Sequence, residues 1–301
     1  MSPLEFVSGL ALRHLKGGQV SALRDAYLTL RARLAPVLRL LHGTFDAGDL
    51  RHHLDQRIGP DFEILMVHSS INHMQPMYTG TALALVRMLV DFCGPQRTLV
   101  MPAFYFGDPA IGGVVDTFKR QPRFDLRRTP SQMGLATELF RRMPGVEVSR
   151  HPVYRMCALG PLAKALTAGH EHAASPAGLG TPFEFVGQHD TRIIGIGKPM
   201  QVITQAHHVE GAMGDAFPVP SVVHEPLPMT LVDRGQEIPF LLTRREFAGR
   251  FNIWGLRKLM APQSLQEWAF HQVPMFATRA RDVNDCLLAA ARRGVTLYEP
   301  E

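Results

Sequence analysis

Residues 63–70, EILMVHSS, decide the fold of this chain, because four apolar side chains in a row lead into a histidine and two serines. A short apolar run that ends in a polar turn is typical of a strand buried on both faces of a sheet. The pattern returns in residues 98–104, TLVMPAF, and in residues 191–197, TRIIGIG, and the segment 81–94 between the first two has the pattern of a helix. Strands that alternate with helices predict an α/β domain whose strand ends carry the functional site.

The other elements are predicted from the same periodicities. They are a helix over 47–58, a helix over 132–143, a hairpin over 229–242 with its turn at 233–235, and a last helix over 282–294. The helix over 132–143 follows Thr129-Pro130-Ser131, and we expect Ser131 or Thr129 to cap it.

The first 44 residues differ from the rest of the chain. Their apolar side chains are spaced alternately by four and three residues, which predicts a helix that Pro36 kinks or restarts. They hold six Lys or Arg against two acids, and so account for +4 of the net charge of +5. We therefore expect a helical extension over 1–44 and one domain over 45–301. The extension would lie on that domain, on a second subunit of a homodimer or, as a basic amphipathic helix, on an anionic membrane surface.

Composition also excludes several classes of protein. The chain beyond residue 44 is nearly neutral, so a basic groove for nucleic acid is not expected. No apolar run reaches the roughly 18 residues of a membrane span, and the N-terminus has an early acid, Glu5, and no cleavage site of a signal peptide. We expect a cytoplasmic protein. Cys93, Cys157 and Cys286 are widely spaced and predict free thiols.

Several motifs occur in a fixed order along the chain. They are ILMVHSSI (64–71), GPQRTLVMPAF (94–104), FDLRRTPSQMGLATELFRRMPGVEVSRHP (124–152), ALGP (158–161), SPAGLGTP (175–182), and GIG (195–197) followed by ITQAHHVE (203–210). In kind and order they resemble the motifs of the antibiotic (aminoglycoside 3-N) acetyltransferase family, over about residues 46–210. The resemblance implies a three-layer α/β sandwich around a mixed central sheet. It also implies an enzyme that transfers acetyl from acetyl-CoA to an amine, without a metal.

Two histidines and an acid match the catalytic positions of that family. An amine must be neutral to attack a thioester, so a histidine that accepts its proton near pH 7 is useful. His207 stands in the motif ITQAHHVE, where Glu210 would share its helix face and hold the imidazole tautomer. His151 matches the other functional histidine of the family. We expect these three residues to be catalytic.

The turn after the first strand is expected to hold the co-substrate. Ser69 and Ser70 follow that strand, where hydroxyls at a strand end can face a ligand. By resemblance the turn, together with His68, lies near the pantetheine and acetyl groups of acetyl-CoA. Ser131, as a helix cap, would offer backbone N–H groups to an anionic part of CoA.

Departures from the family pattern set the expectation for the acceptor. The family continues HP-x-x-S where this chain has Arg155, and it has a glycine pair where this chain has residues 78–80, YTG. A guanidinium suits phosphate or carboxylate and repels a polycation. We therefore expect an amino sugar, nucleotide- or lipid-linked, as the acceptor, contacted by Arg155, Asp125 and Tyr78. An aminoglycoside, and hence antibiotic resistance, is the alternative.

Two other classes of function remain open. Fourteen histidines invite a metal-dependent hydrolase, although the chain has no H-E-x-x-H motif and no cysteine pair. A family member without activity, acting as a binding protein, is the second alternative.

Overall fold

The computed structural model describes residues 26–300, which form an α/β fold with twelve strands. The strands are β1 (Ile64–Ser69), β2 (Thr98–Pro102), β3 (Arg123–Asp125), β4 (Glu147–Val148), β5 (Met156–Leu159), β6 (Thr191–Ile196), β7 (Ser221–Asp233), β8 (Gln236–Phe247), β9 (Arg250–Phe251), β10 (Leu265–Phe270), β11 (Val273–Arg279) and β12 (Tyr298–Glu299). Seven of them form the main sheet, in the order β10-β11-β6-β1-β2-β5-β4.

The centre of the main sheet is parallel and its edges are antiparallel. Ile64 of β1 pairs with Thr98 of β2 on one side and with Thr191 of β6 on the other, and both pairings are parallel. On the two sides of this centre, β5 pairs with β2 and β11 pairs with β6, and both pairings are antiparallel. Parallel neighbours run in the same direction, so β1, β2 and β6 all end at one edge of the sheet.

Helices cover both faces of the sheet. They are α1 (Ala35–His42), α2 (Ala47–Ile58), α3 (Ile71–Met74), α4 (Ala82–Cys93), α5 (Val114–Arg120), α6 (Leu135–Arg141), α7 (Ala163–Thr167), α8 (Pro182–Gln188), α9 (His208–Met213), α10 (Leu256–Leu259) and α11 (Ala280–Arg292).

The side chains of β1 alternate between two cores. Leu65 and Val67 belong to one hydrophobic core together with residues of α2, α4 and α6. Ile64 and Met66 belong to another, together with residues of α8 and α11. Alternation across a strand places these cores on opposite faces of the sheet, so the predicted three-layer α/β sandwich with a mixed sheet is confirmed.

Local capping explains where two of the helices begin. The Asp46 carboxylate accepts from the backbone N–H of Asp49, whose own side chain accepts from the N–H of Asp46, which is a capping box at the start of α2. Thr81 Oγ1 accepts from the N–H of Ala84 at the start of α4. The expected cap by Ser131 or Thr129 is wrong, because α6 begins at Leu135 and has no side-chain cap hydrogen bond. Ser131 Oγ instead accepts from the N–H of Met133 in the preceding turn.

Two smaller sheets lie outside the sandwich. β3, β7 and β8 form one, in which β7 and β8 make the predicted hairpin, although it is much longer than residues 229–242. Its turn contains Arg234 and Gly235, both with positive φ, a conformation that suits a tight two-residue turn. β9 and β12 form the other sheet, through the pairs Tyr298 with Phe251 and Glu299 with Arg250.

The described part of the N-terminal extension is helical, over residues 26–33 and then over α1, with Pro36 in the first turn of α1. Five apolar side chains on these helices are exposed, namely Leu30, Leu34, Val37, Leu40 and Leu41. Residues 1–25 of the extension lie outside the described residues, so its role and the boundary at residue 45 stay predictions. Among residues 26–300, no helix is both long enough and apolar enough to cross a membrane.

Candidate active site

A cavity of about 510 Å³ lies where the three parallel strands end. Most of its lining comes from the end of β1 and the turn after it, from the segment after β2, from the loop before α6, and from the segment after β6. Residues from these four places include Ser69, Ser70, Phe104, Met133, Lys198, Thr204 and His207. The site therefore lies at the edge of the sheet where the sequence predicts it.

The turns after β1 and β6 approach each other closely beside this cavity. Gly197 has a φ of +69°, and a Cβ on it would lie 2.7 Å from the carbonyl oxygen of Ser70. Only glycine fits both the positive φ and this approach. The backbone N–H of Ser70 also donates to the carbonyl of Ile196 at 2.9 Å, which ties the two strand ends together.

His207 lines the cavity and pairs with Glu210, which lies beside it outside the lining. His207 ends a 3₁₀ turn, Thr204–His207, and Glu210 lies in the helix α9 that continues from it. His207 Nδ1 is 3.3 Å from Glu210 Oε1, and the His207 side chain is 30% exposed, whereas that of Glu210 is 13% exposed. An ionised carboxylate only accepts hydrogen bonds, so Nδ1 carries the proton in this contact. Nε2 is then left with its lone pair.

Aromatic rings hold the imidazole of His207 from two sides. Phe251 stacks on it with ring centroids 4.8 Å apart, and Tyr154 meets it edge-on at 6.3 Å. A third ring nearby is that of Tyr298, which contacts Glu210. Its hydroxyl donates to Glu210 Oε1 at 2.9 Å.

Buried polar atoms without a partner gather at the same cavity. Both ring nitrogens of His68, the hydroxyl of Ser69 and the hydroxyl of Thr204 are buried and find no hydrogen-bond partner among the described residues. All three residues line the cavity. A buried polar group without a partner is costly in free energy, so these groups are suited to receive hydrogen bonds or donate them to a bound molecule. Burial lowers the pKa of His68 to about 3, which keeps this ring neutral near pH 7.

His151 is not brought to the cavity. It is buried, and its Nδ1 accepts from the backbone N–H groups of Val153 and Tyr154 at 3.1 and 2.9 Å. Its ring stacks on His170 at 4.8 Å. Burial, and then the neighbouring His170, hold the pKa of His151 well below its usual value. The expected catalytic role is corrected to a structural one, in which the imidazole holds the turn after residue 151.

Arg155 is also a structural residue, which contradicts its expected contact with an acceptor. The side chain is fully buried, and its guanidinium donates to four backbone carbonyls at 2.8 to 3.0 Å. These carbonyls belong to Ala103, Leu126, Thr129 and Pro130. Burial lowers the pKa of Arg155 to about 10, so the guanidinium stays charged at neutral pH. Arg155 thus fixes the segment that leads into the loop before α6.

Three other residues expected to contact the acceptor or CoA are likewise occupied by local hydrogen bonds. Asp125 Oδ1 accepts from the N–H groups of two residues in its own turn. Tyr78 is buried, and its hydroxyl donates to the carbonyl of Thr81 at 3.1 Å. The N–H of Ser131 donates to Glu138 Oε2 at 2.8 Å. Asp125, Tyr78 and Ser131 do not line the cavity, whereas the expected Ser69, Ser70 and His68 do.

Sequence analysis missed several residues of this site. Thr204 stands in the motif ITQAHHVE, but the motif does not mark it as a site residue. That its hydroxyl is buried without a partner among the described residues is visible only once the fold is known. Phe251 and Tyr298 lie far along the chain in two-residue strands, and no motif marks them.

The charge of the cavity is low. Among the described residues that line it, none is Asp or Glu, and Lys198 is the one Lys or Arg. In the part of the chain that the structure describes, no group of three or more His, Cys, Asp or Glu side chains is placed to hold a metal ion.

Comparison with known sequences identifies the family of this chain. The profile of the family described as aminoglycoside 3-N-acetyltransferase matches residues 66–289. The aminoglycoside N(3)-acetyltransferase III of Acinetobacter baumannii is 32% identical over 158 residues, which cover 49% of this chain and 54% of that protein. The aminoglycoside N(3)-acetyltransferase VII of Streptomyces paromomycinus is 36% identical over 165 residues, which cover 52% and 56%. The chain therefore spans about half the length of the curated relatives it matches.

Solved structures share the fold at low sequence identity. The crystal structure of aminoglycoside acetyltransferase AAC(3)-Xa has a TM-score of 0.69 at 19% identity, and the match covers 91% of this chain and 99% of that one. The structure of AAC-IIIb in a binary complex with CoASH has a TM-score of 0.66 at 18% identity, and it covers 85% and 100%.

The structural role of Arg155 predicts a loss of stability and not a change in specificity. In Arg155→Ser, four backbone carbonyls lose the donor that Arg155 supplies, so we expect the free energy of unfolding to fall by about 3 kcal/mol or more. Chemical denaturation measures this change. The control Arg128→Ser, at a side chain that is 91% exposed, should stay within about 0.5 kcal/mol of wild type. An Arg155→Ser protein as stable as the control would contradict the structural role.

Proposed function

This chain belongs to the aminoglycoside 3-N-acetyltransferase family, and we propose that it transfers an acetyl group from acetyl-CoA to an amine of an aminoglycoside-type acceptor. One observation carries the proposal. The cavity at the ends of the parallel strands is lined by His207, which pairs with Glu210, and by buried hydroxyls that have no partner among the described residues.

His207 is the general base in this proposal. With Nδ1–H held by Glu210, Nε2 accepts a proton from the amine while the amine nitrogen bonds to the acetyl carbon. Glu210 stabilises the positive charge that the imidazole then carries. The C–S bond breaks, and the sulfur takes the proton that His207 Nε2 has accepted and leaves as the CoA thiol.

Ser69 and Thr204 are the proposed donors to the acetyl oxygen. Negative charge develops on that oxygen when the amine attacks, and fixed donors in a site that excludes water stabilise it most effectively. Both hydroxyls are buried, line the cavity and lack a partner among the described residues. His68, kept neutral by burial, is a further donor or acceptor for the amide groups of pantetheine.

Acetyl-CoA is the proposed co-substrate, without a metal. The unpartnered atoms of His68, Ser69 and Thr204 fit a polar ligand at the strand ends, and Lys198 at the same cavity suits an anionic part of CoA. A structural relative of the same fold, AAC-IIIb, is known in complex with CoASH.

The acceptor amine is inferred from the matched relatives and from the charges around the cavity. The matched relatives are aminoglycoside N(3)-acetyltransferases, and the buried state of Arg155 removes the main reason to expect an anionic acceptor. A second candidate is an amino sugar with a single amine. It is favoured because no Asp or Glu lines the described cavity, whereas a polycation is bound best by several carboxylates.

One assay separates these candidates. The release of CoA thiol is followed with acetyl-CoA and a panel of amines that includes gentamicin-like aminoglycosides, unmodified monoamino sugars and phosphorylated ones. We expect the highest kcat/KM for an aminoglycoside. A preference for a monoamino sugar would establish the second candidate, and no thiol release with any amine, from a protein that binds no acetyl-CoA, would refute the proposed function.

The role of His207 makes a quantitative prediction. Loss of the general base in His207→Ala should lower kcat by about 10²-fold. Glu210→Gln should lower kcat less, because the base remains and only its partner is weakened. Steady-state kinetics on the best amine of the panel measures both changes.

The control for this prediction is a second His–Glu pair, away from the cavity. His224 Nε2 is 3.1 Å from Glu246 Oε2 on the hairpin β7–β8, and His224→Ala should leave kcat unchanged. If His207→Ala turns over as fast as His224→Ala across pH 6–9, His207 is not the base.

A further inference from the structure

We propose that Tyr298 is a positioning residue of the reaction, because its hydroxyl fixes the carboxylate of Glu210 against His207. The inference rests on the proposed function for its consequence in catalysis, but its structural core can be tested without turnover. The Tyr298 hydroxyl donates to Glu210 Oε1 at 2.9 Å.

The two contacts of Glu210 meet on one oxygen. Oε1 accepts from Tyr298 and is also the atom that lies 3.3 Å from His207 Nδ1. A carboxylate that accepts a single long hydrogen bond can rotate about its last torsion angle, which is broad in energy. The second donor, from a different part of the chain, selects the rotation that keeps Oε1 toward the imidazole.

The backbone around Tyr298 is itself held in place. Tyr298 in β12 pairs with Phe251 in β9, the residue whose ring stacks on His207. The N–H of Asn252 donates to the carbonyl of Leu297 at 2.7 Å, which continues the connection between the two segments. One short two-stranded sheet therefore supplies both the ring that packs on the imidazole and the hydroxyl that holds its acid.

The ring of Tyr298 is fixed by packing that does not involve its hydroxyl. It contacts Phe251, Phe247 and Phe217 with ring centroids 5.4, 5.3 and 6.1 Å apart. Burial, and then the charge of Glu210, raise the pKa of Tyr298, so the hydroxyl keeps its proton and remains a donor at any pH where the enzyme would work. The loss of the hydroxyl alone in Tyr298→Phe leaves the ring contacts in place, and the variant is expected to fold.

The kinetic test uses Tyr298→Phe. We expect kcat to fall about tenfold, the worth of one hydrogen bond to a charged group, while KM for acetyl-CoA is unchanged, since Tyr298 does not line the cavity. Tyr27→Phe, at a hydroxyl that contacts Arg31 on the N-terminal helix, is the matched control and should have wild-type kcat.

A double-mutant cycle shows whether Tyr298 acts through Glu210. In a Glu210→Ala background, Tyr298→Phe should change kcat by less than about twofold, because the group that Tyr298 positions is gone. A tenfold loss that persists in that background would overturn the proposal.

A spectroscopic test needs no activity and so separates this inference from the proposed function. Proton NMR of the wild-type protein should show the His207 Nδ1–H resonance downfield, as expected for a hydrogen bond to a carboxylate, and His207→Ala assigns it. We expect Tyr298→Phe to lose or broaden this resonance as Glu210→Ala does, and Tyr27→Phe to keep it. An unchanged resonance in Tyr298→Phe would overturn the positioning role even if the protein acetylates amines.

Discussion

The parallel register of β6, β1 and β2 is the constraint on which the rest of this structure depends. Because Ile64 pairs with Thr98 and Thr191 in the same direction, three strands end together, and the chain must turn three times at one edge of the sheet. Those turns leave polar backbone and side chains facing one space, where the hydroxyl of Ser69 and the ring of His68 are buried without partners among residues 26–300. A site of this kind follows from the topology before any catalytic residue is considered.

Much of the fold was accessible from the sequence, because its signals are local. The apolar run before His68 predicted β1, and the helix predicted over 47–58 coincides with α2. The pair His207 and Glu210 was also predictable, since a spacing of three residues is enough to bring them together on a helix. Tyr298 was not predictable, because it reaches Glu210 across 88 residues of chain and only the packing of β12 on β9 places it there.

The corrections share one physical cause, which is burial. Arg155 and His151 stand at motif positions where a charged or titratable side chain suggests contact with a ligand, but both are almost completely buried and bonded to backbone groups. A sequence shows which hydrogen-bonding groups a residue carries, but it does not show whether other parts of the fold already bond to them. Because Arg155 is bonded to four backbone carbonyls, its charge no longer argues against a cationic acceptor. The cavity lining has no Asp or Glu among the described residues, which favours an acceptor with a single amine.

The central claim is that the cavity at the ends of β1, β2 and β6 is where acetyl transfer takes place. A crystal structure of the chain with CoA bound tests it most directly. The claim predicts that the thiol lies inside this cavity, beside the hydroxyls of Ser69 and Thr204, with His207 Nε2 facing the sulfur. CoA bound with its thiol away from His207, or on another surface of the protein, would contradict it.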